Sequence, residues 1–253
     1  MVLLMIILQI IGESLPISSS THIALLSNII GDNALISQTV YYASHAPTVI
    51  VLMTYFFKEL LYLTRYYKKF WHDIIIWLSA LICANSITCL GNIFIHMVTI
   101  PCTREVGLAI TTVLLLSLKF CTAHGNDRLW LRQAIIIGCV QAIALLPGIS
   151  RLASTFVVGR WIGLSSWTSF RFSCALEATL FAAASSVSII SLWYKGKLAY
   201  FSFGDFMMIA GAMVVAYCLL WLVEYLINIK KLWYFGCYTL FITLASLAYK
   251  FLH

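Results

Sequence analysis

Two long apolar stretches of this chain are interrupted in the middle by residues that a membrane-buried helix tolerates poorly. The first runs from residue 1 to about 30 and breaks at Glu13-Ser-Leu-Pro-Ile-Ser-Ser-Ser-Thr-His22. The second covers about 132–164 and breaks at Pro147-Gly-Ile-Ser-Arg151. A spanning helix needs about 20 consecutive apolar residues, so each half is too short to cross a bilayer. Irregular backbone at membrane depth is tolerated only where it is buried in protein or lines a water-filled cavity. A charge such as Arg151 costs at least ~2.5–3.5 kcal/mol there and marks a functional position. Interrupted segments at corresponding places in two halves are the pattern of re-entrant hairpins in an inverted repeat.

The membrane reading follows from composition. Of 253 residues, 62% are hydrophobic and 10% charged, against about 25% charged in soluble domains. No polar segment is long enough for a separate soluble domain. Six unbroken stretches have the length of a span, at about 40–57, 73–91, 104–120, 168–193, 204–227 and 232–251. The expected fold is an all-α polytopic membrane protein with about six spanning helices and two re-entrant helix hairpins. It forms a single membrane domain, 1–253, built from pseudo-repeats at about 1–120 and 132–253. The repeats are offset by about 132 residues: Gln9…Leu15-Pro-Ile-Ser18 parallels Gln141…Leu146-Pro-Gly-Ile-Ser150.

Charge placement sets the topology. The net charge of +7 comes from basic residues in short loops, which orient spans and form no aromatic-interleaved stripe for nucleic acid. With both broken segments re-entrant, one side holds Arg104, Lys195, Lys197 and Lys250. The other holds Lys58, Arg65, Lys68, Lys69, Lys119, Arg128, Arg132, Lys230 and Lys231. The richer side is then cytoplasmic, with both termini outside. Eight scattered cysteines without a C-x-x-C read as buried small hydrophobes. Met1–Ile11 lacks the basic start and cleavage site of a signal peptide.

Chemistry concentrates at the two breaks. Gln9 and Glu13 stand four apart and share a helix face, where a carboxylate can hold a divalent cation or take a proton. Ser18 is placed to cap a second half-helix whose free N–H groups attract anions. Ser19 and His22 have the spacing of a nucleophile and base, although Ser and Thr also serve helix packing in membranes. Ser150 can cap a half-helix starting at Arg151, with Thr155 one turn on. Arginine suits multidentate phosphate recognition better than proton transfer. Glu177, inside a span, reads as a partner for Arg171 or Arg160. His45 before Pro47 fits an interfacial or a functional role, Gln141 can bond across the hairpins, and Asp32 reads as a turn residue beside Gly31.

Taken together, these motifs resemble those of the undecaprenyl-diphosphate phosphatase family, the bacitracin-resistance type of bacterial membrane enzyme. Its (Glu/Gln)-x-x-x-Glu motif stands here as Gln9-Ile-Ile-Gly-Glu13, followed by Leu15-Pro-Ile-Ser-Ser19 and His22. Its Pro-Gly-x-Ser-Arg-Ser-x-x-Thr motif is similar to Pro147-Gly-Ile-Ser-Arg-Leu-Ala-Ser-Thr155. Gly163-Leu-Ser, Arg171-Phe-Ser and Phe235-Gly-Cys-Tyr resemble its later segments, so the likeness covers nearly the whole chain. The resemblance implies removal of the terminal phosphate of undecaprenyl diphosphate at the outer side of the bacterial cytoplasmic (inner) membrane, which recycles the lipid carrier for cell-wall synthesis. It also implies a divalent cation, Mg²⁺ or Ca²⁺. Carried onto this chain, it implies Glu13 for metal or proton transfer with Gln9 assisting, and Ser19 as nucleophile with His22 as acid or base. Arg151, Ser150 and Thr155 would bind diphosphate, and Ser18 or an activated water is the alternative to Ser19. Three departures stand out: Gln9 for the commoner first acid, Leu152 for the second serine, and Thr21 for a glycine before the histidine. Broken helices and inverted repeats equally belong to secondary transporters or lipid flippases, which have no need of Ser19 and His22 beside an arginine. The sequence admits a homodimer.

Overall fold

The computed structural model describes residues 2–30, 38–98, 102–121, 125–195 and 202–252; Asp32 lies outside them. Regular structure among the described residues is helical, apart from one isolated bridge between Asn126 and Leu164. The first broken stretch forms α1 (Val2–Glu13) and α2 (Ser19–Ile30), and the second forms α8 (Leu131–Ile143) and α9 (Arg151–Trp161). The two helices of each pair pack on each other. Leu15 and Ser14 bond back three residues to Gly12 and Ile11, a tightened last turn that Pro16, with no N–H, cannot extend. In the second break Gly148 takes φ +88°, a backbone open to glycine at little cost.

Between the broken pairs lie α3 (Gln38–Ala43), α4 (Ala46–Tyr55), α5 (Phe57–Arg65), α6 (Tyr67–Val98) and α7 (Arg104–Ser117). After them come α10 (Ser166–Tyr194), α11 (Phe203–Asn228) and α12 (Tyr234–Leu252). Among the described residues, three helical stretches are long and apolar enough to cross a membrane: Trp71–Ile95, Ser166–Tyr194 and Phe203–Asn228. The stretch expected as one span at 40–57 is not continuous. It stops at Ala43 and restarts at Ala46 with Pro47 in the first turn of α4. Proline fits the first turn of a helix, where its missing N–H is one of the unpaired ones anyway, and disfavours helix through the residue before it. That extra break decides where His45 points.

The surface is apolar and the interior carries much of the polarity. Ile82, Leu90, Val214, Trp221 and Phe241 are exposed, whereas Gln9, Glu13, Gln141, Thr111, Thr239 and Glu177 are buried. In lipid there is no hydrophobic drive between helices, so small residues and interhelical hydrogen bonds hold them together. Helix α6 meets α8 through buried Ala80, Ala84 and Ala134, and the Thr88 hydroxyl donates across to the Gly138 carbonyl at 3.2 Å. Helices α7 and α12 are joined by Thr112 and Thr239 hydroxyls 2.9 Å apart. Further contacts pair α1 with α11, and α10 with both α3 and α4. The cysteines depart from the expectation of burial: all eight are free, but only Cys174 is buried, while Cys89, Cys139, Cys218 and Cys237 are exposed. An apolar exterior accepts a small thiol as readily as the core does.

Candidate active site

Both breaks open on one cavity of about 430 Å³. Its wall takes Glu13, Leu15 and Ile17–Ser20 from the first break and Ala144–Pro147 and Ile149–Arg151 from the second. Tyr41, Tyr42 and His45 come from α3 and the kink behind it, Asn92 from α6, and Glu177, Leu180, Phe181 and Ala184 from α10. Two stretches about 132 residues apart in sequence therefore line the same cavity.

Glu13 ends α1 and is buried with three partners. Gln9, one turn earlier, donates its Nε2 to Glu13 Oε1 at 2.7 Å. The His45 Nδ1 forms a close ion-pair contact with the same oxygen, and the Thr48 hydroxyl donates to Oε2 at 2.5 Å. A carboxylate offers about four lone-pair positions, so three are used and one remains on Oε2. His45 in turn stacks on Phe181, with ring centroids 4.3 Å apart and planes within 9°. The Arg151 guanidinium also lies over the Phe181 ring, at 4.3 Å, a cation–π placement. One phenyl ring thus orients both the histidine of the acid cluster and the arginine of the second break.

The two half-helices aim their N-termini at this space. Ser150 precedes α9 with extended backbone, and its hydroxyl accepts from the Ala153 N–H at 3.3 Å, the expected cap. Its own N–H donates to the Thr111 hydroxyl at 2.9 Å, and that hydroxyl lies 3.2 Å from the Gly148 carbonyl. Helix α7 presses so closely here that a Cβ on Gly107 would collide with the Pro147 carbonyl oxygen. Across the cavity, the Ser18 hydroxyl is taken up by Ser20 at 3.3 Å and Thr21 at 3.0 Å. Ser19, the first residue of α2, lines the cavity. The free N–H groups of a helix start attract an anion, and Arg151 brings a guanidinium to the same cavity.

Two residues named from sequence sit elsewhere. His22 is not among the cavity-lining residues: its Nδ1 is 2.7 Å from the Ser18 carbonyl, and its Nε2 is 3.0 Å from the Tyr238 hydroxyl on α12. Thr155 is buried in α9 and donates its hydroxyl back to the Arg151 carbonyl at 2.8 Å. Glu177 departs from the expected ion pair. Arg171 pairs with Glu59, and Arg160 donates to the Leu164 carbonyl, while Glu177 Oε2 is buried without a hydrogen-bond partner. Gln141 likewise leaves its buried Oε1 unpaired. His45, Thr48 and Phe181 were the members that sequence reasoning underrated. The signal for the first two was a histidine and a threonine flanking Pro47 in an apolar run.

The donor set admits a hard cation but no closed cage. Among the described residues no three His, Cys, Asp or Glu side chains cluster tightly enough to hold a metal alone. The cavity offers the Glu13 and Glu177 carboxylates, the second with an orphaned buried Oε2, and one turn behind Glu13 the Gln9 Oε1 is also buried and unpaired. That suits Mg²⁺, which takes one or two carboxylates and completes its shell with water and substrate phosphate.

An all-helical architecture with helices apolar enough to cross a membrane and a polar cleft at two helix breaks defines the class. The chain belongs to the bacitracin resistance protein BacA family, which it matches over residues 2–245. It is 29% identical to undecaprenyl-diphosphatase 1 of Shouchella clausii, an alignment covering 92% of this chain and 89% of that protein. It is 32% identical to the undecaprenyl-diphosphatase of Rhodopirellula baltica over 78% of this chain and 76% of the relative. The undecaprenyl-diphosphatase of Colwellia psychrerythraea is 31% identical over 76% and 77%.

Proposed function

We propose that this protein hydrolyses undecaprenyl diphosphate to undecaprenyl phosphate and inorganic phosphate, recycling the lipid carrier for the cell wall. The observation that carries this reading is the meeting of Glu13, Ser19 and Arg151 in one cavity, from three different helices. Phosphoryl transfer asks mainly for positioning and charge stabilisation. Arg151, with Ser150 and Ser18 at the two helix starts, holds the terminal phosphate. The Ser19 hydroxyl attacks that phosphorus, the bridging oxygen leaves with undecaprenyl phosphate, and water then releases phosphate from the serine. The serine proton passes to the Glu13–His45 pair. His22 fixes the serine loop through the Ser18 carbonyl, and Thr155 stiffens the first turn of α9. A divalent cation, Mg²⁺ or Ca²⁺, would be held by Glu13 with Gln9 Oε1 and would neutralise charge on the diphosphate.

The same reading assigns the membrane placement. The two helix pairs are re-entrant hairpins of an inverted repeat within one domain, 1–253, alongside about six spans. Packing of α1 on α11 and of α8 on α6 supports this, because the two pairs exchange when the halves are swapped. The cavity takes the middle of α10 and the C-terminal third of α6, helices whose C-terminal ends point to the side poorer in basic residues. On the positive-inside rule the site faces outward from the bacterial cytoplasmic membrane. An apolar groove of about 670 Å³ between α6 and α10, lined by Leu78, Leu81, Ile82 and Leu90, offers the adjoining place for the isoprenoid tail.

The decisive measurement is phosphate release from detergent-solubilised undecaprenyl diphosphate by the purified protein. Release is expected. Absence of release, while the lipid still crosses between leaflets in vesicles, would hand the site to the transporter alternative.

A further inference from the structure

Glu177 is the one cavity-lining carboxylate that the reaction above leaves unused. It projects from the middle of α10, is 6% exposed, and presents an Oε2 with no hydrogen-bond donor. Leaving a buried acceptor unmatched costs about 1–3 kcal/mol, more when it is charged, so a group kept in this state has a use. Phe181, one turn further along α10, faces the same cavity and orients His45 and Arg151. The charges that act on Glu177 are Arg151 and Glu13, the two ends of the proposed phosphate site. Its basic neighbours on α9 and α10 are engaged elsewhere, Arg171 with Glu59 and Arg160 with the Leu164 carbonyl. Glu177 also stands about 132 residues after His45, the offset that relates Gln9 to Gln141 and Ser18 to Ser150. The two halves thus direct a side chain from equivalent positions at the same space.

We propose that Glu177 is a cation ligand: with Glu13 it holds the divalent ion between the two carboxylates, supplying the second acid that Gln9 does not. Gln9 carries no charge, yet its buried Oε1 is also an unmatched acceptor. A positive ion in the cavity would give the orphan Glu177 Oε2 its missing partner. A hard divalent cation is the ligand class that all-oxygen donors select. Bound there, it would face Arg151, so the diphosphate would lie between two positive centres. The inference rests on the diphosphatase reading only for its substrate; the ion-binding claim stands on the cavity alone.

The test uses Mn²⁺ as the probe, its binding to the full-length protein followed by loss of the free-ion electron paramagnetic resonance signal. Mg²⁺-dependent phosphate release is measured in parallel. Glu177→Gln is expected to weaken Mn²⁺ binding at least ~10-fold, the lower end of what even outer-shell partners of a metal are worth. The Mg²⁺ concentration for half-maximal release should rise by a similar factor, and Gln9→Glu added to Glu177→Gln should recover part of the affinity. Unchanged Mn²⁺ affinity in a folded Glu177→Gln protein overturns the proposal. Should that variant fail to fold, Glu177→Asp reads the same quantity: weakened binding supports the assignment and unchanged binding overturns it. Wild type that binds Mn²⁺ through Glu177 but releases no phosphate keeps the ion site and removes the diphosphatase reading. Wild type that releases phosphate in chelator and binds no Mn²⁺ does the reverse.

Discussion

The two helix breaks are built to similar plans and carry opposite chemistry. Each places a serine directly before a half-helix, Ser18 before α2 and Ser150 before α9. The first adds an acid: Glu13 is fixed by Gln9, His45 and Thr48. The second has Leu145 at the corresponding place and adds a cation, Arg151, where the first has Ser19. Their supports differ as well. The first break is held by side chains converging on a carboxylate, the second by backbone: Thr111 grips the Ser150 N–H, and Gly107 lets α7 reach Pro147. On the proposed reading, the first break supplies the acid and the nucleophile and the second the guanidinium that holds phosphate. On that reading each break alone is half a site.

That division can be broken most sharply at Glu13. Glu13→Gln keeps the shape but removes the charge that His45 and Thr48 bind, and turnover should fall about 10³-fold, within the usual worth of a positioned proton-transfer group. Assayed as released phosphate, activity within tenfold of wild type would move the acid role elsewhere. Arg151→Ala should cost at least ~100-fold, since two hydrogen bonds to a charged group contribute ~1.5–3 kcal/mol each and ~1.4 kcal/mol is a decade of rate. Arg151→Lys should recover only part, because an ammonium lacks the planar fork; near-normal hydrolysis by the alanine variant would make Arg151 structural.

Smaller effects separate the two histidines. His45→Gln is expected to slow the reaction on the order of tenfold, since the Glu13 carboxylate remains to take the proton. His22→Gln should lower the rate less, through the serine loop that it holds by the Ser18 carbonyl; a loss larger than that of His45→Gln would give His22 a part in proton transfer. Thr155→Val should change least: about 1 kcal/mol of stability from the lost hydroxyl bond, read by thermal melting, and a rate within about threefold. A hundredfold loss there would mean that Thr155 turns toward substrate during the reaction.

The local physics of single segments was legible in the sequence. Pro16 and Pro147-Gly148 break helices wherever they occur, Ser150 caps the helix it precedes, and an apolar run too short to span must fold back or end. These properties belong to a few neighbouring residues, so α1, α2, α8 and α9 begin and end close to where the breaks place them. Even so, one local signal was underrated: Pro47 interrupts what its apolar neighbours present as a continuous span. The eight cysteines show the other limit, because composition tells that thiols suit an apolar setting but not whether that setting is core or outer surface.

What only the tertiary structure decided is which polar side chains share a space. The reason is that direction in three dimensions depends on packing between distant helices. His22 lies four residues after Ser18 and still turns away to Tyr238, because α12 passes on its side. His45 lies 32 residues from Glu13 and meets it, because the kink before α4 swings the ring onto Phe181. Glu177 has basic residues near it in sequence, yet α10 carries it to the cavity and leaves Arg171 with Glu59. The sequence alone determined that this chain has two broken apolar stretches rich in acid, hydroxyl and guanidinium; the packing of α3, α4 and α10 between them determined which of those groups line one cavity.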